Sequence, residues 1–387
     1  MADKQKSAGK EWSDKSKYNS FNSYKGLTWF TTHYEPIARW FRGESDFLPP
    51  PIELSLDPGH LCNFRCGHCN AQRYLAINPD EVPTDRKIMT AEHLRGLLDF
   101  MAEWGVRGVC MGGGGEPLMN RNVWTMPSYI ASKGMKSSYA TNGSLINEQI
   151  AEEMMHCRWV GVSVDSGTRE TFERVHRVDQ FDKVIDNLRL LVRTKEKTGS
   201  KIDLAYKYLI RPDNWEDIVK ACRLAKEIGV RDFHARPVDL QRKDFKQAMD
   251  LNYNIEAIQD LFAECHGMEQ GDDFRVFTVM HKYNPDFKIM HPFKNCVSSS
   301  LMLQACANGS VYVCADHRLE DRFKLCDHFP NPGEIRKYWG SPKHRALLKS
   351  VNVDKECGRC TYGEFARQIE ELAIGVNEDD PMCVDFP

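Results

Sequence analysis

The chain has 387 residues, 41% hydrophobic and 28% charged, with a formal net charge of -3 at pH 7. That length accommodates one large domain and a smaller one; the near-neutral charge offers no field for nucleic acid, and no apolar run approaches the roughly 20 residues of a membrane span. Fourteen cysteines, clustered in Cys-x-x-Cys spacings and with no secretion signal ahead of them, point to metal binding in a reducing cytosol rather than to secreted disulfides.

Residues 1–20 are polar and lysine-rich, which predicts a disordered tail. Between Tyr24 and Phe41, the residues Leu27, Trp29, Phe30, Ile37, Trp40 and Phe41 predict a short helical element packed on the main domain, completing an amino-terminal unit over 1–50. Pro49, Pro50 and Pro51 then force an extended entry into a strand over 52–56. The strand runs into a loop carrying Cys62, Cys66 and Cys69 in the order Cys-Asn-Phe-Arg-Cys-Gly-His-Cys. Three thiolates on one loop can hold three irons of a four-iron cluster and leave the fourth iron to a chelating ligand. A zinc knuckle completed by His60 or His68, or three structural cysteines, would show the same spacing.

Thr90 reads as the cap of a helix bearing Leu94, Leu97, Leu98, Met101 and Trp104 at helical spacing, with Gly105 as its stop. A strand over 109–111 leads into Gly112-Gly113-Gly114-Gly115-Glu116-Pro117, where glycines permit close backbone approach and a carboxylate follows at once. Without a following Lys-Ser or Lys-Thr this is not a phosphate loop. Further strands are expected over 137–140 (ending in Thr141-Asn142-Gly143), 159–164 (ending in Ser163-Val164-Asp165-Ser166-Gly167), 202–210 and 232–236. Helices over 146–155 and 215–228 complete the strand-helix rhythm.

The three-cysteine loop followed by Gly-Gly-Glu-Pro one strand-helix unit later resembles the radical S-adenosylmethionine (radical SAM) superfamily. The resemblance implies a [4Fe-4S] cluster on Cys62, Cys66 and Cys69, with SAM chelating the open iron. His68 stands where the family usually has an aromatic residue near the adenine. Gly114, Gly115, Glu116 and Pro117 would meet the methionine amino group, whereas Asn142, Ser163, Asp165 and Arg177, with Arg174 behind them, are candidates for the ribose and the carboxylate. The fold so implied is α/β: a partial (β/α)6 parallel barrel over 51–240, with catalytic groups at the carboxyl ends of its strands.

Beyond a helical connector over 241–290, Cys296, Cys306, Cys314, Cys326, Cys357 and Cys360 crowd into the region 291–387. Gly309 to Cys314 reads as a turn and strand of a small hairpin, and Cys357-Gly-Arg-Cys360 as a metal knuckle before a helix; the residues alone suit zinc as well as iron. In the context of the barrel, this region resembles the twitch and SPASM extensions, which carry auxiliary four-iron clusters. Its spacings are similar to those of the radical SAM dehydrogenase acting on 2-deoxy-scyllo-inosamine, which implies a second [4Fe-4S] cluster on Cys296, Cys314, Cys357 and Cys360. Cys110, Cys157, Cys222, Cys265 and Cys383 read as small apolar residues.

These features imply a cytoplasmic enzyme that cleaves SAM reductively and oxidises a secondary alcohol of a sugar-like or cyclitol-like molecule, passing an electron to the auxiliary cluster. An epimerase with Cys306 or Cys326 as hydrogen donor, a peptide maturase, and a non-catalytic iron-sulfur or zinc protein are the alternatives. The expected partners are a small-molecule or peptide substrate and a flavodoxin- or ferredoxin-type electron donor, with neither nucleic acid nor membrane. Lys207, Tyr208, His234 and Arg236 are the candidates to face the cavity, and Arg236 is the expected substrate-orienting group.

Overall fold

The computed structural model describes residues 23–69, 71, 87–238, 253–278, 291–357 and 360–374. The expected tail over 1–20, Cys383 and residues 241–252 and 279–290 of the expected connector lie outside the described residues.

Among the described residues, ten strands form one sheet in the order β10-β9-β8-β1-β2-β3-β4-β5-β6-β7. These are β1 (Glu53–Asp57), β2 (Gly108–Met111), β3 (Lys136–Thr141), β4 (Trp159–Ser163), β5 (Asp203–Ile210), β6 (Asp232–Pro237), β7 (Arg275–Thr278), β8 (Met302–Cys306), β9 (Ser310–Tyr312) and β10 (Lys324–Asp327). From β1 to β7 every neighbouring pair is parallel, which makes a partial barrel with its strand carboxyl ends on one side. Six strands were expected; β7, inside the expected helical connector, adds a seventh. On the other side of β1, strand β8 also pairs in parallel, and only the β8-β9-β10 meander is antiparallel. The cysteine-rich region is therefore joined to the barrel by continuous backbone hydrogen bonding through β1.

Alternation along the strands separates two faces. Leu54, Leu56, Val109, Met111, Tyr139, Val160, Val162, Leu204, Tyr206 and Tyr208 are buried beneath the helices. The register places Ser55, Cys110 and Ser138 together on the opposite face, and likewise Ser163, Lys207 and His234. This second face is the polar wall of the barrel. It includes Lys207 but not Tyr208, whose hydroxyl donates to the Asn214 carbonyl beneath the helices. His234 and Arg236, two residues apart on β6, share the polar wall.

The helix Ala91–Trp104 begins as its sequence predicts: the Thr90 hydroxyl accepts from the His93 amide, and Gly105 ends it at φ 101°. The amino-terminal segment departs from expectation. Ile37, Trp40 and Phe41 are buried, but Leu27 is 80% and Phe30 42% exposed, while Tyr34 and Ala38 take up core positions. It also packs on carboxyl-terminal elements: the Trp40 indole donates to the Gly340 carbonyl at 2.7 Å and its ring lies 5.2 Å from that of His344, while Tyr34 meets Phe365 edge-on. The buried residues of this segment, from Tyr34 onward, find their apolar partners on carboxyl-terminal elements, and the exposed Leu27 and Phe30 lie ahead of them in the chain.

Leu56, fully buried in the central strand, is the most direct probe of this core. Leu56→Ala is expected to cost about 2–5 kcal/mol, read as a lower denaturation midpoint in guanidinium.

Candidate functional site

The three cysteines sit on the loop that leaves the carboxyl end of β1, each partly exposed. Phe64 anchors the loop beneath them: its ring is buried and packs edge-on against Phe172, 5.9 Å away. The Phe64 amide donates to Cys62 Sγ at 3.4 Å, and the Arg65 amide donates to the His176 carbonyl at 3.2 Å. Burial pushes the Cys66 thiol well above its ordinary value, and the neighbouring Cys69, Asp165 and Cys62 push it further. The three thiols thus stand within electrostatic reach of one another.

The glycine-rich turn after β2 is compressed against this loop. A Cβ at Gly115 would lie 2.5 Å from the Leu61 carbonyl oxygen, and one at Gly114 would lie 2.6 Å from Asp57 Oδ2. At Gly113, φ is 98° and a Cβ would strike the Arg318 guanidinium. At these glycines the protein's own atoms come too close for a side chain. Glu116 is likewise turned inward. Its carboxylate accepts from the Thr141 hydroxyl at 2.6 Å, the Asn142 amide at 2.7 Å and the Leu118 amide at 3.1 Å, tying the end of β2 to that of β3. Pro117 starts the short turn of helix that follows. Burial lifts the Glu116 carboxyl to about 7, against these three hydrogen bonds, which pull it down.

Asn142 joins the end of β3 to the cysteine loop. Its amide donates to Asn63 Oδ1 at 2.9 Å, and the Asn63 amide donates to the Ser144 hydroxyl. Beyond β4, Asp165 is held at φ 54° and is 1% exposed. Its Oδ1 accepts from the Leu209 amide, while Oδ2 lies 3.5 Å from His68 Nε2 and 3.7 Å from His176 Nε2. Burial alone would raise this carboxyl; the His68 hydrogen bond and the two nearby imidazoles outweigh it and hold it below the ordinary value.

The ring of His68 is oriented from both sides. Arg211 Nη1 donates to its Nδ1 at 3.2 Å, so the ring hydrogen sits on Nε2 and points at Asp165; Arg211 is itself gripped at two points by Asp213. His176 Nε2 donates to the Val164 carbonyl, leaving Nδ1 to accept from the Cys66 thiol 2.9 Å away. Burial lowers the His176 imidazole to about 4.

Of the other candidates, Ser163 ends β4 beside Lys207 on the polar wall. Arg177, at φ 58°, reaches back over the cysteine loop, where a Cβ on Gly67 would lie 3.0 Å from it. Arg174 turns outward and donates to the Asp213 carbonyl. The sequence reading missed Asn63, His176 and Arg211. Asn63 lies within the cysteine motif but carries no signal of its own there, His176 and Arg211 stand in no recognisable motif, and His176 faces Cys66 only because helix Arg169–His176 returns to the cysteine loop.

The distal cysteines converge from separate segments. Burial raises the Cys314 thiol most, followed by Asp316 and then Cys296, Cys360 and Cys357, so all four lie within electrostatic reach. Cys314 Sγ also accepts from the Asp316 amide. Just past Cys360, the Tyr362 hydroxyl donates to Glu53 at the start of β1. Cys306 and Cys326, paired as candidates in sequence, are separated: Cys306 ends β8 on the polar face beside Asp57, whereas Cys326 lies on β10 at the outer edge, in register with Val311 and hence with Ala305 on the helix-covered face.

A sequence profile of the Radical SAM superfamily matches residues 56–200. The chain is also 30% identical over 364 residues to the Fe-coproporphyrin III synthase of Methanosarcina barkeri, covering 83% of this chain and 85% of that protein. The chain belongs to the radical SAM superfamily. A probable GTP 3',8-cyclase of Saccharolobus islandicus is 24% identical over 220 residues, 56% of this chain and 67% of that one. Among solved structures, SuiB of Streptococcus suis bound to its precursor peptide SuiA superposes with a TM-score of 0.61 at 16% identity, covering 88% of this chain and 75% of that chain. The enzyme anSMEcpe with bound AdoMet superposes at 0.56 and 14% identity, covering 84% and 96%. These two likenesses are of fold.

Radical SAM membership brings SAM and a four-iron cluster as cofactors. The residues fit: three thiols on one loop, gathered within electrostatic reach, are the donor set for such a cluster. Among the described residues, no three His, Cys, Asp or Glu groups stand close enough to clasp a single ion. A cubane is larger than one ion and holds its cysteines further apart. Because thiolates are the ligands and burial raises the Cys62 and Cys66 thiols, assembly is expected to release protons. No helix among the described residues is long and apolar enough to cross a membrane.

Glu116 supplies a pH test. Its carboxyl is raised on folding, so the folded state holds this proton more tightly than the unfolded chain. Stability is greatest below the unfolded value of 4.5 and falls as pH rises to about 7. Glu116→Gln is expected to remove that slope, on the order of 3 kcal/mol across the interval, in denaturation measured from pH 4.5 to 7.5.

Proposed function

We propose that this enzyme removes a hydrogen atom from a substrate carbon and oxidises it by two electrons in all, the second electron passing to an auxiliary four-iron cluster. The convergence of Cys296, Cys314, Cys357 and Cys360 carries this reading, because such a set beside the barrel would hold the electron acceptor. Bound SAM, given one electron by the first cluster, supplies the 5'-deoxyadenosyl radical.

The chain's own residues would then do three things. Cys62, Cys66 and Cys69 would hold the first cluster, whose assembly takes from Cys66 the proton it gives to His176. His68, Asn142, Ser163, Asp165 and Arg177 line the carboxyl ends of β3 and β4 and the adjoining loop, where SAM would lie; the Arg211 and Asp165 contacts set the His68 ring before any ligand arrives. Gly114, Gly115, Glu116 and Pro117 shape the turn, with Glu116 as a positioning residue whose carboxylate is already satisfied within the protein. The polar wall bearing Ser138, Ser163, Lys207, His234 and Arg236 suits a hydroxylated small molecule, so a secondary alcohol is the first substrate class, with Arg236 orienting it. Electrons would come from a flavodoxin- or ferredoxin-type donor.

A second reading is favoured by the relative that spans 83% of the chain, whose name assigns it Fe-coproporphyrin III synthesis: an iron tetrapyrrole bearing carboxylates would also meet Lys207 and Arg236.

Anaerobic protein with reductant and SAM is expected to form 5'-deoxyadenosine without substrate. Cys66→Ala abolishes this, whereas Cys314→Ala and Arg236→Ala retain it and lower formation of oxidised product from an accepted substrate by at least a hundredfold. Absence of 5'-deoxyadenosine from protein with its iron intact would defeat the proposal.

A further inference from the structure

Four buried polar atoms without hydrogen-bond partners gather where β1 meets β8. Asp57, at the carboxyl end of β1, is fully buried on the polar face of the sheet, in register with Cys306. Its Oδ2 accepts from the Cys306 thiol at 3.6 Å and lies 3.2 Å from Arg318 Nη1, whereas its Oδ1 has no partner. His60 is 5% exposed and neither ring nitrogen has one; the Gly114 carbonyl approaches the ring without reaching hydrogen-bond geometry. Gln304, fully buried on β8, spends its amide on the Ala305 carbonyl and the Cys306 sulfur, which leaves its Oε1 unpartnered. Buried polar groups are hydrogen-bonded as a rule, so a linked set of unsatisfied atoms at the strand ends of a barrel enzyme marks a place for a ligand's polar groups. The barrel interior reaches this point: Ser55, in register with Gln304 and Cys110, is partly exposed, and so is Cys110.

The chemistry of the open atoms selects the ligand. Burial lowers the His60 imidazole below its ordinary value, against the pull of the nearby Asp57 charge, so the ring is neutral and offers one donor and one acceptor. With Asp57 Oδ1 and Gln304 Oε1, the site presents more acceptors than donors. A carboxylate, which only accepts, matches it poorly. Arg318 already balances the Asp57 charge, so a cationic group is not called for. Hydroxyls, which both donate and accept, fit. We infer that Asp57, His60 and Gln304 anchor adjacent hydroxyls of an uncharged polyol, which fixes the reacting carbon beside them. The inference deepens the alcohol-oxidising reading above and rests on it, and it favours that reading over a carboxylate-bearing tetrapyrrole. Arg318 lies on the loop that follows Cys314, so the anchor stands against the segment that would hold the electron acceptor.

The probe is glycerol, a minimal uncharged polyol, deuterated at carbon and supplied at molar concentration to anaerobic holoenzyme with SAM and Ti(III) citrate. With its hydroxyls on this site, a glycerol C–D bond breaks and the deuterium enters 5'-deoxyadenosine. The carbon radical left behind becomes a carbonyl by giving one electron to the auxiliary cluster and its hydroxyl proton to water. The expected result is deuterated 5'-deoxyadenosine, with about tenfold more label than carbon-deuterated propionate provides, the equivalent of one hydrogen bond. His60→Phe, which keeps an aromatic ring and removes both nitrogens, and Asp57→Asn are each expected to lower the glycerol label per 5'-deoxyadenosine formed by about tenfold. Neither is expected to move the propionate label. Unlabelled product from glycerol, equal label from propionate, or undiminished label in both variants overturns the inference and leaves SAM cleavage standing. No 5'-deoxyadenosine at all from wild type defeats the reading on which it rests as well.

Discussion

The parallel pairing of β1 between β2 and β8 is the constraint on which the rest depends. Parallel strands present all their carboxyl ends on one side, so the cysteine loop after β1, the glycine-rich turn after β2 and the Asp165 loop after β4 share one rim. The same registers decide which side chains face inward: Asp57 opposes Cys306, and Ser163 opposes Lys207 and then His234. A one-residue slip would exchange the polar wall for the apolar face. The buried leucines and tyrosines beneath the helices make that slip expensive.

On this frame, the rim is fastened by polar contacts that span different strand ends. Glu116 joins β2 to β3, the Asn63-Asn142-Ser144 triangle joins β3 to the cysteine loop, and Asp165 gathers His68, His176 and the Leu209 amide. Such networks are stabilising only when nearly every member is satisfied, and here nearly all are. A rim organised in this way holds its donors in position before a ligand binds, which lowers the entropy lost on binding.

Much of this was legible in the chain. Six strands of the barrel are short apolar runs separated by helices with ordinary caps, and local chemistry sufficed to place them. The three cysteines and the glycine-rich turn were visible because their function is encoded in adjacent residues. Strand β7 is hard to read from sequence, since Arg275–Thr278 is only four residues long. The parallel pairing of β8 with β1 joins residues 249 positions apart at Asp57 and Cys306, and no local pattern announces a contact at that range. For Glu116 and the glycines, a sequence shows that a carboxylate and bare backbone are required without showing which protein atoms they face. His176 and Arg211 act through neighbours that only the fold supplies.

The central claim is that one barrel carries two separate cysteine sets, one for SAM and one for the electron that leaves the substrate. The most direct test is iron and acid-labile sulfide content, with a Mössbauer spectrum, of anaerobically reconstituted protein in which Cys62, Cys66 and Cys69 are all alanine. The account predicts about four irons and four sulfides remaining, with the spectrum of a four-iron cluster. Folded protein that retains no iron would contradict it and leave Cys296, Cys314, Cys357 and Cys360 without the role assigned to them.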